Sequence, residues 1–338
     1  MDKVSLMRIP KVLLVGVVFA LLQILLISLP NDSFTASSAP AGPTLAQLIS
    51  YVVASSHLNH GPNVFTSLPS LAQAGGDDAS PMIPPQCIAF TTAVTPLPRN
   101  ATTKCAFGDA KATKTLFLFG DSQAAMWVPA FNIAGEMLHW KIVFLSKDGC
   151  GPWISPLTSI EGSSACNQWV RGEIALANQL KPQVVIPVGL TVAVLKDNNY
   201  PTADQFEGEL QSMVTALAPS HAKILFLQEI PQFYSYFTPA TPEACLTVHT
   251  SSIQSCELTI KQVKAIGTTI GLRAVASADH IGTVPIRKFF CGNEICDVFV
   301  DSPDTTHLVY QDWAHMNATY SSWIGRATAQ LLAKYLPG

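Results

Sequence analysis

The chain has 338 residues, 48% of them apolar and only 13% charged, with a formal net charge of −3. That length can bury a sizeable core, and the composition excludes a largely disordered protein. No run of Lys and Arg interleaved with aromatics is present. This argues against a nucleic-acid partner and for a neutral or weakly polar substrate.

Val12 to Leu29 is an apolar run of 18 residues, broken only by Gln23 and Ser28. As a helix it would span roughly 27 Å, enough for the hydrocarbon core of a bilayer. Lys3, Arg8 and Lys11 precede it, and Asp32 is the first charge after it. The positive-inside bias then keeps the N-terminus cytoplasmic and exports everything beyond Leu29. Residues 1–30 are therefore expected to form a single-span transmembrane anchor. The alternative is a cleaved signal segment that leaves a secreted or periplasmic protein. Against it, the run exceeds the usual h-region of ~7–15 residues, and the small-residue site Ala39-Pro40-Ala41 lies about ten residues beyond it.

Residues 31–84, rich in Ser, Ala, Pro and Gly, read as a linker, with Leu45–Val53 a short helix inside it. His57 and His60 read there as solvent-exposed bystanders. Residues 85–338 form the expected main domain. Short apolar runs at Thr115–Phe119, Lys141–Leu145, Gln183–Val188 and Lys223–Gln228 predict buried strands, with a weaker one at Arg273–Ala276. Between and after them, helices are expected at Ala124–Leu138 (bent near Pro129), Gln168–Leu180, Gln205–Leu217, Cys256–Ile270 and Asn317–Tyr335. This alternation implies an α/β fold with a parallel central sheet covered on both faces, whose ligands bind beyond the carboxyl ends of the strands. Gly120-Asp121-Ser122 sits at one such end.

All eight cysteines follow the apolar run. They allow on the order of a hundred connectivities. Sequence-adjacent pairing would close four local loops, as suits an oxidising compartment. Zinc would want paired C-x₂₋₄-C units, and only Cys291 to Cys296 comes near.

A serine hydroxyl becomes a nucleophile only when a base removes its proton and a carboxylate orients that base. Ser122, in a tight strand-to-helix turn, is a candidate nucleophile. The same turn also reads as a plain helix cap, since Asp and Ser are favoured at the N-cap. Near the C-terminus, Asp312 and His315 lie three apart in one loop. There the carboxylate can hold Nδ1–H while Nε2 faces outward as a base. A turn residue and helix decoration are their bland readings. This chemistry needs no cofactor and no metal.

The order FGDSQAAMWVPAF (119–131), GCGPW (149–153), Cys166-x₂-Trp169, VIPVGLT (185–191), later cysteine pairs and DWAHMNATYSSW (312–323) resembles the SGNH (GDSL-like) hydrolase superfamily. Over roughly residues 85–336 it is most similar to the SGNH domains fused to membrane acyltransferase family 3 proteins. The resemblance implies a three-layer α/β/α sandwich. It implies Ser122 as nucleophile, His315 as general base and Asp312 as its orienter. It also implies an oxyanion hole that includes the Ser122 N–H and a glycine, Gly149 or Gly151. Two positions depart from the pattern. Gln123 stands where a histidine is usual, and Thr191, after Gly189, stands where ordinary members carry an oxyanion asparagine. Gly151, Gly189, Thr191 and Gln123 are thus the expected oxyanion or substrate-binding residues.

Of the six tryptophans, Trp153 and Trp313 are expected at the site rim and the rest in the core. His139, His221, His249, His280 and His307 read as surface or capping residues. Asn31, Asn100 and Asn317 head N-x-[ST] sequons.

The expected activity is extracytoplasmic transfer of an acyl group, acetyl above all, through Ser122 to a cell-envelope glycan or polysaccharide. A separate multi-span membrane acyltransferase would then supply the acyl group. Hydrolysis of short-chain or carbohydrate acyl esters by the same residues is the second reading, and a non-catalytic glycan-binding module the third.

Overall fold

The structure is a computed structural model and describes residues 42–58, 66–90, 97–98, 100–154, 163–189, 203–233, 241–249, 252–262 and 281–338. Its strands are β1 (Ile88–Ala89), β2 (Ala106–Gly108), β3 (Lys114–Gly120), β4 (Trp140–Lys147), β5 (Val184–Val188), β6 (Lys223–Leu227), β7 (Leu258–Thr259), β8 (Ile281–Val284), β9 (Ile295–Cys296), β10 (Phe299–Asp301) and β11 (Thr306–Leu308). The helices are α1 (Leu45–Ser55), α2 (Leu71–Ala74), α3 (Ala101–Lys104), α4 (Ser122–Ala125), α5 (Val128–Leu138), α6 (Ser163–Leu180), α7 (Ala203–Leu217), α8 (Pro242–Val248), α9 (Ala318–Trp323) and α10 (Gly325–Leu332).

The expected parallel sheet is present. Six strands run in the order β1-β4-β3-β5-β6-β8, parallel at every pairing, and β2 adds antiparallel to β4. Its central strands are apolar because both faces are covered: Leu116, Phe117, Leu118 and Phe119 of β3 are fully buried, as are Val184, Val185 and Ile186 of β5. Helices α5 and α10 pack on each other, with α5 also against β2 and β4. Helices α6 and α7 pack together, with α6 against β3 and β4.

The single helix expected over Ala124–Leu138 is two, α4 and α5. Pro129 has no N–H for the Ala125 carbonyl, so the ladder breaks and restarts with proline in the first turn of α5. The C-terminal helix is likewise divided, at Ile324. Of the helix expected over Cys256–Ile270, residues 263–270 lie outside the described residues, and Glu257 to Gln262 is not helical. Cys256 ends a short 3₁₀ turn and β7 follows, paired with β9 through Leu258 and Cys296. Backbone pairing across that pair satisfies groups that a helix would otherwise have to. The expected strand at Arg273–Ala276 and the apolar run at Val12–Leu29 lie outside the described residues. Among the described residues no helix is long and apolar enough to cross a membrane.

The described part of the segment expected to be a linker, residues 42–58 and 66–84, belongs to the compact unit from Ala41 onward. Helix α1 is capped by a reciprocal Thr44/Gln47 box and buries Leu48 and Val52 against α10 and β10. Further along, the Asp77 carbonyl accepts the Ala318 N–H at 2.8 Å, and its carboxylate accepts the Thr319 N–H at 3.0 Å. Asp77 therefore caps α9. His57 is exposed, as expected, and His60 lies outside the described residues.

All eight cysteines are paired, Cys87–Cys105, Cys150–Cys166, Cys245–Cys256 and Cys291–Cys296. These are the sequence-adjacent pairs. His139 and His221 end helical segments in the left-handed conformation, in keeping with capping roles.

His307, expected at the surface, is buried instead. Its ring stacks on Trp323 with centroids 3.8 Å apart and planes 20° apart. Burial drives its pKa down to about 4, against the pull of Asp301 and Asp304. An unfolded chain protonates this histidine near its ordinary value of ~6.5. Its contribution to stability is therefore complete above that value and is lost as pH falls towards about 4. The melting temperature should fall over that acid range. In His307→Phe, which can keep the stack on Trp323, calorimetry should show a smaller fall.

Candidate active site

Three neighbouring strands deliver three parts of the site from their carboxyl ends: Ser122 after β3, Gly151 after β4 and Gly189 after β5. Gly120, the last residue of β3, pairs with Ser146 on one side and Val188 on the other. Its φ is +152°, and a Cβ there would collide with the Val188 carbonyl. Only glycine fits, and the chain can turn sharply off the sheet edge. Asp121 then caps α4, its Oδ1 accepting the Gln123 N–H at 2.8 Å. The capping reading of the turn thus holds for Asp121, while the Ser122 hydroxyl faces elsewhere.

It faces His315, whose Nε2 lies 2.8 Å from Ser122 Oγ. On the far side of the ring, Nδ1 lies 2.8 Å from Asp312 Oδ2 and 3.0 Å from Oδ1. Nδ1–H donates to the carboxylate, which leaves Nε2 to accept the serine proton. The loop that places these two is tight. Asp312 Oδ1 accepts the N–H groups of Ala314 and His315 at 2.7 and 2.8 Å, and the Gln311 N–H reaches the His315 carbonyl at 2.9 Å. The Asp–His spacing of three is what lets one carboxylate hold both its own turn and the imidazole.

The electrostatics favour a protonatable base. Burial pushes the His315 pKa down, but the hydrogen bond and charge of Asp312, with Asp121 and Asp148 adding, outweigh it and leave it above the ordinary value. Burial alone would raise Asp312; its bonds from His315 and Ala314 hold it below the usual carboxylate range.

Behind Asp121 lies Glu173 of α6, fully buried, accepting the Trp169 Nε1–H at 2.8 Å. Burial, joined by the charge of Asp121, raises its pKa well above the carboxylate range even though the Trp169 bond pulls the other way. The protonated form is thereby favoured. Sequence reasoning missed Glu173 because a glutamate inside an amphipathic helix reads as a solvated one. The only hint was its place four residues after Trp169.

The expected oxyanion and substrate residues divide. Gly151 and Gly189 do meet: a Cβ on Gly189 would lie 3.1 Å from Gly151 Cα and 3.3 Å from Asp121 Oδ2. Gly149 takes φ +68° in the turn closed by the Cys150 N–H and the Lys147 carbonyl, and Cys150–Cys166 ties this loop to α6. Thr191 lies outside the described residues. Gln123 is not a substrate contact. It is buried, and its Nε2 donates to the Ala314 carbonyl at 2.9 Å, because its position after the N-cap turns it inward under the histidine loop.

Trp153 is buried beside Gly151, edge-on to Phe206 at 5.0 Å, and Trp313 is partly exposed next to Asp312. Asn317 is fully buried. Its Oδ1 accepts the Tyr320 N–H and its Nδ2 donates to Leu308, so it is a structural cap.

The chain belongs to the SGNH domain family of the kind fused to AT3 domains, which matches residues 87–330. Among curated proteins, none matches. Solved structures do. The periplasmic domain of a lipopolysaccharide acetyltransferase from Salmonella ser. Paratyphi A is similar at 14% identity over 74% of this chain and 92% of that one, with a TM-score of 0.54. A putative acylhydrolase from Bacteroides fragilis has 15% identity over 71% of this chain and 96% of its own, with a TM-score of 0.39. A carbohydrate acetylesterase from Sinorhizobium meliloti has 13% identity over 66% and 100%, with a TM-score of 0.38. At 14% identity the Salmonella likeness establishes a shared fold.

The geometry makes a prediction that does not depend on turnover. In an NMR titration, His315 should titrate above the ordinary histidine value of ~6.5. In Asp312→Asn, which removes the charge that favours the imidazolium, its pKa should drop. An unchanged value would show that Asp312 does not hold the ring.

Proposed function

We propose that this protein is an extracytoplasmic, serine-dependent O-acyltransferase that moves an acyl group, acetyl in the simplest case, through Ser122 to a hydroxyl of a cell-envelope glycan. The observation that carries the reading is the relay itself, Ser122 Oγ to His315 Nε2 at 2.8 Å and His315 Nδ1 to Asp312 at 2.8 Å. A module that only binds glycans has no need of it.

In the proposed cycle, Ser122 Oγ attacks the acyl carbonyl carbon while its proton passes to His315 Nε2. The developing oxyanion is met by the backbone N–H groups of Ser122 and Gly151. Collapse expels the donor's leaving group, which takes the proton from Nε2, and an acyl-Ser122 ester remains. The acceptor hydroxyl then gives its proton to Nε2 and attacks that ester. The product ester departs and Ser122 regains its proton. Asp312 stays ionised throughout and steadies the imidazolium. Gly189, within contact distance of Gly151, belongs to the oxyanion side of the site in this reading.

Support for the acceptor class comes from the family, whose members are fused to AT3 domains, and from the fold shared with a periplasmic lipopolysaccharide acetyltransferase domain. Four disulfides among the described residues suit an oxidising compartment outside the cytoplasm. Val12–Leu29 would tether the domain to the membrane, beside a multi-span partner that supplies the acyl group.

One observation favours ester hydrolysis as a second reading. Ser122, Asp312 and His315 are each partly exposed, so water can reach the acyl-serine. Product analysis separates the two. With an activated acetyl ester and an oligosaccharide acceptor, wild-type protein should yield acetylated sugar, and Ser122→Ala none. Acetate release indifferent to the acceptor, with no acetylated sugar, would leave hydrolysis as the activity.

A further inference from the structure

Gln123 follows the nucleophile directly, yet its side chain serves the base. Nε2 donates to the carbonyl of Ala314 at 2.9 Å, across 191 residues of sequence, and Ala314 lies between Asp312 and His315. Because a carbonyl can only accept, this contact fixes the amide orientation with nitrogen toward Ala314. Oε1 then points into a buried place with no partner. A second tie runs beside it, the Met316 N–H to Met126 Sδ at 3.4 Å.

A buried amide with one end unsatisfied is a local liability. An apolar side chain of the same length would remove the stranded Oε1, but it would also leave the Ala314 carbonyl without this donor. Features that break a local rule without benefit to packing concentrate at functional sites. Here the benefit is the single bond to Ala314, which locks the loop carrying Asp312 and His315 to the residue beside Ser122.

We infer that Gln123 is a positioning residue, an uncharged clip that holds His315 Nε2 in line with Ser122 Oγ. This rests on the reading of Ser122 and His315 as nucleophile and base. The clip acts on the alignment of the proton transfer and does not touch substrate, so its loss should appear in kcat rather than in KM. Misplacement by about 1 Å of a group set by its neighbours can cost on the order of a hundredfold in rate.

The test compares wild type, Ser122→Ala, Gln123→Met and Gln123→His on a small activated acetyl ester, with melting temperatures measured alongside. Gln123→Met keeps the length and removes the donor. Its kcat should fall roughly 10- to 100-fold. KM should stay close to wild type, and the melting temperature should fall by at most a few degrees. Gln123→His, whose ring N–H can reach the same carbonyl, should recover most of the lost kcat. Wild-type turnover in Gln123→Met would overturn the inference. So would a loss confined to KM, or a loss that follows the melting temperature and is not restored in Gln123→His. Activity remaining in Ser122→Ala would instead refute the reading of the site, so the two failures are told apart.

Discussion

Everything at the carboxyl end of the sheet depends on how closely β3 can approach β5 at Gly120, where the Val188 carbonyl occupies the space a Cβ would need. With no side chain there, β3 stays paired to its last residue and the chain leaves the sheet in one sharp turn. Asp121 falls into the N-cap and Ser122 into the first position of α4. The hydroxyl is then presented on a short, rigid support between two glycine-bearing strand ends. The same close approach brings Gly189 within contact of Gly151. One missing methyl group thus sets the position of the serine and of the small-residue floor beside it.

The other half of the site is built by a different device. The loop from Asp312 to His315 is fixed by the carboxylate that also orients the imidazole, and by ties to remote elements. The Phe233 N–H bonds the Trp313 carbonyl at 2.8 Å, and Gln123 bonds Ala314. Asp77 and Asn317 together cap the helix that follows. Acid groups crowd this region, and the fold separates their charge states. Asp312 is held ionised by its hydrogen bonds, whereas burial and the nearby Asp121 charge favour the protonated form of Glu173. A fully charged set at this spacing would repel itself; a mixed set can persist beside the His315 imidazole.

Much of this was legible in the sequence, for reasons that are local. Continuous apolar runs located β3, β4, β5 and β6 because strands covered on both faces need nothing polar. The Gly120-Asp121-Ser122 turn and the Asp312 to His315 spacing pointed to the relay because each half is set within a few residues. What was not legible depends on distant bonding. A Ser- and Gly-rich stretch looked like linker, yet Asp77 caps α9 and α1 buries Leu48. Gln123 looked like a substrate contact because its partner lies near the other end of the chain. His307 looked superficial since no pattern reveals that Trp323 stacks on it. The stretch after Cys256 suited a helix, yet Leu258 and Thr259 pair with Cys296 and Ile295 as a short strand.

The central claim is that His315 makes Ser122 a nucleophile. Its most direct test is covalent labelling by a serine-directed fluorophosphonate, followed by peptide mass spectrometry. The account predicts a single adduct on Ser122 in the wild-type protein, none in Ser122→Ala, and labelling slowed by orders of magnitude in His315→Ala. Equal labelling rates in wild type and His315→Ala, or no adduct on Ser122 in folded wild-type protein, would contradict it.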